Sequence, residues 1–523
     1  MLQSKRLLLS QAWSVLLLAL PFLPAIPAMV DAQGKPAGPA RELDQSRRSI
    51  EFAFDISLII DAALGRGAWN ALAAPERSAV LLAVEKLFRE ISGAEEASEA
   101  PVPRILRSEI KGDRAVLTAL VEASLVRFHL TQRNGSWFIV EYEDVDHALP
   151  RFADAIRGAL APERARGPLL ELADENAERR VEKLIAAEGE TPELLLLKAT
   201  VRQNRQSQEA FQELISRTKE NAGSAPAPDP AIESLTQITA RWPEFAPAQL
   251  MLGRYLLFPS LGNSAIDPLH KDTESAIRAL ERYARLVPYD PRPQGDLAAA
   301  YESLEQFDKA EAAQRQAIRL DPAHLPYQAD LVALLLAREN PIRARAAMAQ
   351  LLRSAGDPDE GFDALGELYE FSEMVEEEIK PLEALLLAFP REIARSRSGL
   401  YLLAETQNAL NKRAEAIRTA QRIVALDPPE PGDSEYLSGL YRRARRFPEA
   451  LAAANQALKV DEKSAPAHFE RACALAQLGR KREAIAALRR MIELSGETDF
   501  DADDPDLQPL APLPEFKIMK ERR

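Results

Sequence analysis

The sequence has few of the residues that build catalytic or metal centres. Its 523 residues include one cysteine, Cys473, so an internal disulfide and a cysteine-based zinc site are both excluded. The five histidines are far apart, and none lies four residues from another as in the helical pair of metalloproteases. Phosphate-binding glycine loops and the Gly-x-Ser-x-Gly nucleophile motif are also missing. The sequence therefore predicts a protein that is not an enzyme and that uses no metal or cofactor.

Aromatic residues are scarce, and positive charge is in the minority. Aromatics make up 6% of the chain, against 46% hydrophobic residues in which Ala and Leu dominate, a composition that favours helices. The net charge is −14, which is not the basic footprint of a nucleic-acid-binding protein. A chain of this length exceeds one compact core, so we expect several domains or a repeat array.

The N-terminal segment has the pattern of an export signal. Lys5 and Arg6 precede the apolar stretch LLLSQAWSVLLLALPFLPAIPAMV, and Val30 and Ala32 fit the small-residue rule for cleavage after Ala32. The prolines in this stretch disfavour a membrane-spanning helix. We predict a signal peptide at 1–32, a flexible linker at 33–41 and a periplasmic or secreted mature protein. An uncleaved N-terminal membrane anchor is the alternative.

Alanines recur at a fixed spacing through the second half of the chain. Within each of two groups of three, successive alanines lie 34 residues apart. The six positions are Ala276, Ala310, Ala344, Ala416, Ala450 and Ala484. Proline ends several of these units, as in Asp321-Pro322 and Asp427-Pro428, and Leu252-Gly253 begins a matching pattern upstream. Such agreement in phase indicates one structural unit used repeatedly.

The physical basis of this pattern is a pair of antiparallel helices. Small side chains let the two helices approach closely, large neighbours fill the groove between them, and proline stops the second helix. One hairpin cannot bury its apolar face alone, so neighbouring hairpins stack. The pattern resembles the tetratricopeptide repeat family, whose unit has 34 residues. The resemblance covers residues 230–495, with a divergent repeat around Leu197 inside a helical connector at 161–229.

The two ends of the mature chain differ from the repeats. Residues 496–523 are rich in Pro and Asp, and we expect Leu507, Leu510 and Phe516 to cap the last hairpin. Residues 42–160 show helical patterns in SIEFAFDISLIIDAALG and APERSAVLLAVEKLFREI, then strand patterns in RAVLTALV, SLVRFHLTQ and SWFIVEYEDV, then a helix in ALPRFADAIRGAL. The predicted fold is mainly α: an α-solenoid of tetratricopeptide helical hairpins with a small N-terminal α+β domain.

Residues 42–160 also resemble a known family. Leu64-Gly65, Trp69, Arg77 and the stretch NGSWFIVEYEDVDHALPRF are similar to the periplasmic auxiliary component of phospholipid transporters, the toluene-tolerance family. Cone-shaped domains of the nuclear-transport-factor type share this outline. In the toluene-tolerance family the helices and sheet enclose a lipid chain, so the resemblance implies lipid binding by residues 42–160. That gives an alternative function: a lipid carrier docked through the repeats to an envelope transport system.

Two features could carry chemistry but have simpler explanations. The stretch EYEDVDH is rich in metal-ligand types, yet alternate side chains of a strand point to opposite faces, which favours a solvated strand end. Cys473 lies between Ala472 and Ala474 in a repeat helix, so we expect a buried structural thiol.

Function is therefore expected on the concave wall of the repeats. The tetratricopeptide resemblance implies that the first helix of each hairpin lines a groove that binds a protein. The acidic residues predicted to face it are Asp296, Glu302, Asp330, Asp363, Glu367, Glu370, Glu405, Glu435 and Glu470, against the basic residues Arg292, Arg442 and Arg443. The Lys and Asn pattern with which some members clamp a C-terminal carboxylate is missing. We predict a cationic, extended protein partner; ordinary solvated helix faces are the alternative.

Overall fold

The computed structural model describes residues 53–54, 56–65, 72–92, 104–121, 124–133, 136–160, 166, 175–216, 230–257, 271–369, 376–495 and 503–521. The predicted signal peptide and linker lie outside these residues, as do Trp69 and Glu370. The chain forms two compact units, residues 1–321 and 322–523. Within the described ranges, no helix combines the length and apolar character needed to cross a membrane.

The first unit begins with a mostly antiparallel sheet. Its strands are β1 (Ala53–Phe54), β2 (Arg104–Lys111), β3 (Arg114–Val121), β4 (Ser124–Arg133), β5 (Ser136–Asp144) and β6 (Leu149–Pro150). Strands β2 to β5 form a meander in chain order, β1 joins β5 in parallel, and β6 pairs with the end of β5. Along β4 the apolar residues Val126, Phe128 and Leu130 are buried while Arg127 and His129 are half-buried, so one face is directed to a core.

Helices cover this sheet and fill the space over it. They are α1 (Ile56–Leu64), α2 (Ala74–Ser92) and α3 (Arg151–Leu160). Ile59, Ile60, Phe152 and Ile156 are fully buried against Leu117 and its neighbours in the sheet. The carboxylate of Glu141 in β5 accepts the backbone N–H groups of Phe152 and Ala153 at 2.7 and 3.0 Å. A strand carboxylate thereby caps α3.

The structure confirms the strands expected at RAVLTALV, SLVRFHLTQ and SWFIVEYEDV and corrects two neighbouring elements. The segment expected to be helical from residue 49 contains β1 at Ala53–Phe54, and α1 begins only at Ile56. Strand β1 exists because it pairs with Phe138–Ile139, a tertiary contact that a local pattern cannot show. Strand β2 was not expected; every second residue is exposed, so its apolar signal is weak.

The other described elements of the first unit are helices. Its helices are α4 (Glu175–Glu188), α5 (Pro192–Ser216), α6 (Pro230–Arg241), α7 (Ala246–Leu257), α8 (Lys271–Leu286), α9 (Arg292–Ser303) and α10 (Phe307–Leu320). Helices α7 and α8 are in close contact at Gly253, where an added Cβ would lie 2.6 Å from Leu280 Cγ. This is the close approach that the Leu-Gly pattern predicts.

The second unit continues with helical hairpins. Its helices are α11 (Leu325–Ala337), α12 (Pro341–Ala355), α13 (Pro358–Gly366), α14 (Glu376–Leu386), α15 (Pro390–Ile393), α16 (Arg397–Ala409), α17 (Arg413–Ile423), α18 (Pro431–Arg443), α19 (Phe447–Val460), α20 (Ala465–Gln477), α21 (Lys481–Ser495) and α22 (Pro514–Glu521). A 3-10 helix at Pro505–Leu510 precedes α22. The predicted cap residues Leu507, Leu510 and Phe516 are buried against α20 and α21.

The turns inside the hairpins share one backbone geometry. Glu305, Glu339, Asn411 and Arg445 all have φ between 52° and 56°, and Gly479 takes the equivalent place with φ 75°. The N–H of the following residue donates to the carbonyl five residues earlier, as from Arg446 to Tyr441 at 2.8 Å. This is the left-handed closure typical of helix C-termini.

The mainly α fold class with a small N-terminal α+β domain is confirmed. All six alanines that mark the repeat phase have no exposed surface in the structure. Their small side chains lie where helices pack together, so the alanine spacing records the helix contacts of each hairpin.

Candidate interaction site

In the first unit, one of the predicted groove acids is engaged by a neighbouring helix. The Asp296 carboxylate of α9 accepts a hydrogen bond from Arg254 Nε of α7 at 2.8 Å. Burial raises the pKa of Asp296, and the attraction of Arg254 works in the opposite direction. Glu302, at the end of α9, is exposed. In this unit, therefore, one of the acidic residues predicted to face the groove is already paired with an arginine of the same chain.

In the second unit, the acidic residues predicted to face the groove in α11 and α13 are exposed or half-buried. Asp330 is half-buried, and Asp363 and Glu367 are exposed. Glu367 follows the last residue of α13 and closes it with an N–H bond to the carbonyl of Asp363 at 3.0 Å. Glu370 lies outside the described residues, so its predicted place on the groove stays a prediction.

The remaining acids lie on the first helices of successive hairpins, and two of them share a cleft. Glu435 on α18 and Glu470 on α20 both line an open cavity of about 250 Å³. Its lining is completed by Tyr436, Gly439, Arg443, Pro466 and Phe469. Gly439 leaves room beside the Glu470 carboxylate. A Cβ at this position would lie 3.8 Å from that carboxylate and would occupy part of the cleft.

Aromatic rings form the sides of this cleft. Tyr436 and Phe469 come from facing helices, and Tyr401 of α16 extends the row with its ring centroid 5.1 Å from that of Tyr436. Burial raises the pKa of Tyr436, and the negative charge of Glu405 raises it further. Rings with a negative face next to carboxylates make a surface that favours cations.

Carboxylates outnumber the cations beside the cleft. Glu470 Oε1 accepts from Arg442 Nη1 at 3.0 Å, but Arg442 also binds Asp504 and Asp506 of the C-terminal segment at 2.5 and 2.8 Å. One guanidinium is thus shared by three carboxylates. Glu470 Oε2 has no hydrogen-bond partner among the described residues. Burial raises the pKa of Glu470 although Arg442 opposes the shift, as expected for an incompletely neutralised carboxylate.

The other carboxylate of the cleft is held in place by the next helix. Glu435 accepts a hydrogen bond from the Ser464 hydroxyl, which also caps the start of α20 through the N–H of Ala467 at 3.1 Å. Arg443 is exposed at the cleft and is the cation with which a ligand would compete. The sequence pattern predicts Glu435, Glu470 and Arg443 at a binding surface, but it does not predict Tyr436 and Phe469. Their signal was available, because each aromatic lies directly beside one of the two acids in the chain.

The stretch EYEDVDH has structural partners instead of a metal geometry. Glu141 caps α3, Glu143 accepts from His129 Nε2 at 3.0 Å, and Asp144 contacts His147 Nδ1 at 2.8 Å. No set of three His, Cys, Asp or Glu side chains is placed to hold a metal within the described part of the chain. Cys473 is fully buried, and burial raises the pKa of its thiol.

Comparisons with known proteins bear on the repeats. Residues 292–324 and 465–498 match the family model of the tetratricopeptide repeat. The chain contains tetratricopeptide repeats. No match was found among curated proteins. Nothing in the comparisons supports the resemblance of residues 42–160 to the toluene-tolerance family.

Solved structures with some similarity include three repeat proteins. MamA is 14% identical, with 38% of this chain and 94% of MamA covered and a TM-score of 0.22. YrrB, described as a tetratricopeptide repeat protein with an unusual peptide-binding site, is 15% identical, with 45% and 100% covered and a TM-score of 0.22. Yeast Tom70 is 15% identical, with 71% and 62% covered and a TM-score of 0.30. TM-scores this low carry no argument about function.

Proposed function

We propose that this protein is a non-enzymatic scaffold that binds an extended, cationic segment of a partner protein along the first helices of the second unit. The observation that carries the proposal is the cleft between α18 and α20, which Glu435 and Glu470 line together with Tyr436 and Phe469. We name this cavity the acidic cleft.

A lysine or arginine side chain of the partner fits the acidic cleft in both charge and shape. Its cationic head would lie beside the carboxylates of Glu435 and Glu470 that line the cavity, where the buried Glu470 Oε2 lacks a hydrogen-bond partner among the described residues. Its methylene stem would contact the rings of Tyr436 and Phe469, since a cation over an aromatic face gains about 0.5–2 kcal/mol. Attraction between an acidic surface and a basic segment also speeds encounter and weakens as salt is added.

The test is a salt-dependent binding assay with defined peptides. A fluorescent peptide of alternating Ala and Lys is titrated with the full chain by fluorescence polarisation, beside the same peptide with Gln in place of Lys. We expect binding of the Lys peptide only, and a loss of at least about tenfold in Glu435→Gln with Glu470→Gln, because close charge pairs typically couple by more than 1.4 kcal/mol.

The matched control removes two exposed acids of the same unit that lie outside the first helices of the hairpins, Glu483→Gln in α21 with Glu515→Gln in α22. It makes the net charge two units less negative, as the cleft variant does, but leaves the acidic cleft intact, so we expect affinity within about twofold of the parent. Equal losses in both double variants would show attraction to overall charge and no cleft. Equal binding of the Lys and Gln peptides would refute the cationic partner.

Export is part of the same proposal and has its own test. The pattern at 1–32 supports a mature protein that acts in the periplasm or outside the cell. Mass spectrometry of protein from its own compartment should give an N-terminus at Gln33; an intact Met1 would support the anchor. A lipid-carrier role has less support, because in the described part of the domain side chains such as Ile59, Phe152 and Ile156 are fully buried in one apolar core with the sheet.

A further inference from the structure

Arg292 is buried where the sheet domain contacts the repeats of the first unit. It begins α9, and only 5% of its side chain is exposed. Its Nη1 and Nη2 donate to the two carboxylate oxygens of Asp146, at 2.7 and 2.8 Å. Asp146 lies in the turn after β5, so this fork-shaped pair joins the sheet domain to a repeat helix.

The repeats supply the second half of the charge cluster. The fully buried carboxylate of Asp290 accepts from Arg292 Nε at 3.1 Å, from Nη2 at 2.7 Å and from the backbone N–H at 3.0 Å. The Tyr283 hydroxyl donates to the same carboxylate at 2.7 Å. Asp290 therefore holds Arg292 in place from within the repeats. The Nη1 and Nη2 edge of the guanidinium is directed to a second carboxylate, that of Asp146.

Apolar side chains surround this cluster. Leu120, Leu125 and Val145 of the sheet domain share one buried cluster with Tyr283 and Leu297 of the repeats. The domain has a separate core of its own beneath α1, α2 and α3. The sheet domain thus has its own core and contacts the repeats through a second apolar patch. Such a contact is an interface between two parts of the chain and not one continuous core.

The edge of the contact is polar. Arg127 Nη2 donates to the Tyr289 hydroxyl at 3.3 Å, and the Arg107 guanidinium lies 5.1 Å from the centre of the Tyr289 ring. Arg104 forms an ion pair with Asp321 at 2.6 Å. An apolar centre with a polar rim is the usual anatomy of a binding interface.

We propose that the surface around Arg292 is a carboxylate-binding site that the chain fills with its own sheet domain, with Asp146 as the internal ligand. The sequence placed Arg292 among the residues that face an external partner. Its guanidinium edges are used by Asp290 and Asp146, so this surface is reserved for the internal partner. The inference does not depend on the acidic cleft of the second unit.

Hydrogen exchange on the full chain tests the proposal. Asp146→Asn keeps an oxygen for the Leu125 N–H, which Asp146 Oδ2 accepts at 3.1 Å, but removes the charge that Arg292 binds. We expect at least tenfold faster exchange in the segments 114–133 and 136–150, with unchanged exchange in α16 to α21. The variants Arg292→Gln and Asp146→Asn with Arg292→Gln complete a double-mutant cycle. The double variant should exchange no faster than the faster single variant.

The control is Arg254→Gln, which breaks the Arg254–Asp296 pair inside the repeats and touches no sheet residue in the described contacts. It should leave exchange at 114–133 within twofold of the parent. Exchange within twofold in Asp146→Asn would overturn the proposal, and so would independent, additive effects in the cycle. Should Arg292→Gln fail to fold because Asp290 loses its partner, Asp146→Asn and Asp146→Ala still report on the same contact.

Discussion

Replacing glycine with alanine should change the stability of the second unit in opposite directions at two positions. At Gly439 in α18, an added Cβ meets only the Glu470 carboxylate oxygens, at 3.8 and 3.9 Å, which is ordinary contact. At Gly399 in α16, the same Cβ would lie 2.7 and 2.9 Å from the ring carbons of Phe362, a side chain that is 1% exposed. Because the ring is buried, it can move away only by displacing the side chains packed around it.

The magnitudes follow from these distances. Alanine in place of glycine in a helix interior gains roughly 0.5–1 kcal/mol. Overpacking a buried site costs about 1–3 kcal/mol, so Gly399→Ala should lose a net of roughly 1–2 kcal/mol. For a unit of this size each kcal/mol shifts the Tm by about 2–4 °C. We expect a Tm about 2–8 °C lower for Gly399→Ala and about 1–4 °C higher for Gly439→Ala.

Thermal unfolding followed by circular dichroism measures both shifts, and the peptide assay adds a second readout. The methyl group of Gly439→Ala enters the base of the acidic cleft, so binding of the Lys peptide should weaken while the Tm rises. That combination separates a binding residue from a structural one. Shifts of the same sign in the two variants, or tighter binding by Gly439→Ala, would refute the geometry described for this cleft.

Three further outcomes are expected. Ala450→Leu should overpack the α18–α19 hairpin by about 1–3 kcal/mol, whereas Glu367→Gln should stay within about 0.5 kcal/mol, as chemical denaturation can show. Burial disfavours the charge of His147, but Asp144 outweighs it and raises the His147 pKa, while the pKa of Asp144 is lowered. Their ion pair should therefore stabilise the turn between about pH 4 and pH 6.5, and this stabilisation should be lost as the pH rises through the His147 pKa. The variant His147→Gln should accordingly show faster hydrogen exchange than the parent at residues 144–149 near pH 6, but not near pH 9. Cys473 should react with a maleimide only after unfolding; rapid labelling of the native protein would contradict its burial.

The repeats were predictable because their signal is local and periodic. The spacing of Ala310 and Ala344 gives the phase of the helix contacts, and prolines such as Pro322 give the ends of helices. The sheet was predictable where apolar and polar residues alternate, as in β4. It was not predictable at β1, whose two residues form a strand only through their pairing with β5.

The ion pairs of the residues predicted to face the groove could not be predicted from the sequence. Periodicity places Asp296 and Arg292 on the first helices of hairpins, yet it cannot show that Arg254 and Asp146 lie beside them. Those contacts join residues that are 42 and 146 positions apart in the chain. The same limit applies to Arg442, which contacts Asp504 and Asp506 only because the C-terminal segment folds back on the last hairpins.

The shared geometry of the hairpin turns has a consequence for how stability is distributed in this protein. Glu305, Glu339 and Arg445 hold a left-handed backbone that costs an L-residue about 1–2 kcal/mol, while Gly479 holds the same geometry without that cost. Replacing one of these residues with glycine would remove that cost. It would also lower the free energy of unfolding by roughly 0.5–1 kcal/mol, because glycine makes the unfolded chain more flexible, so each replacement should give a small net gain in stability. The array thus carries a reserve of stability in its connections, which can be adjusted turn by turn without changing the helices of the hairpins.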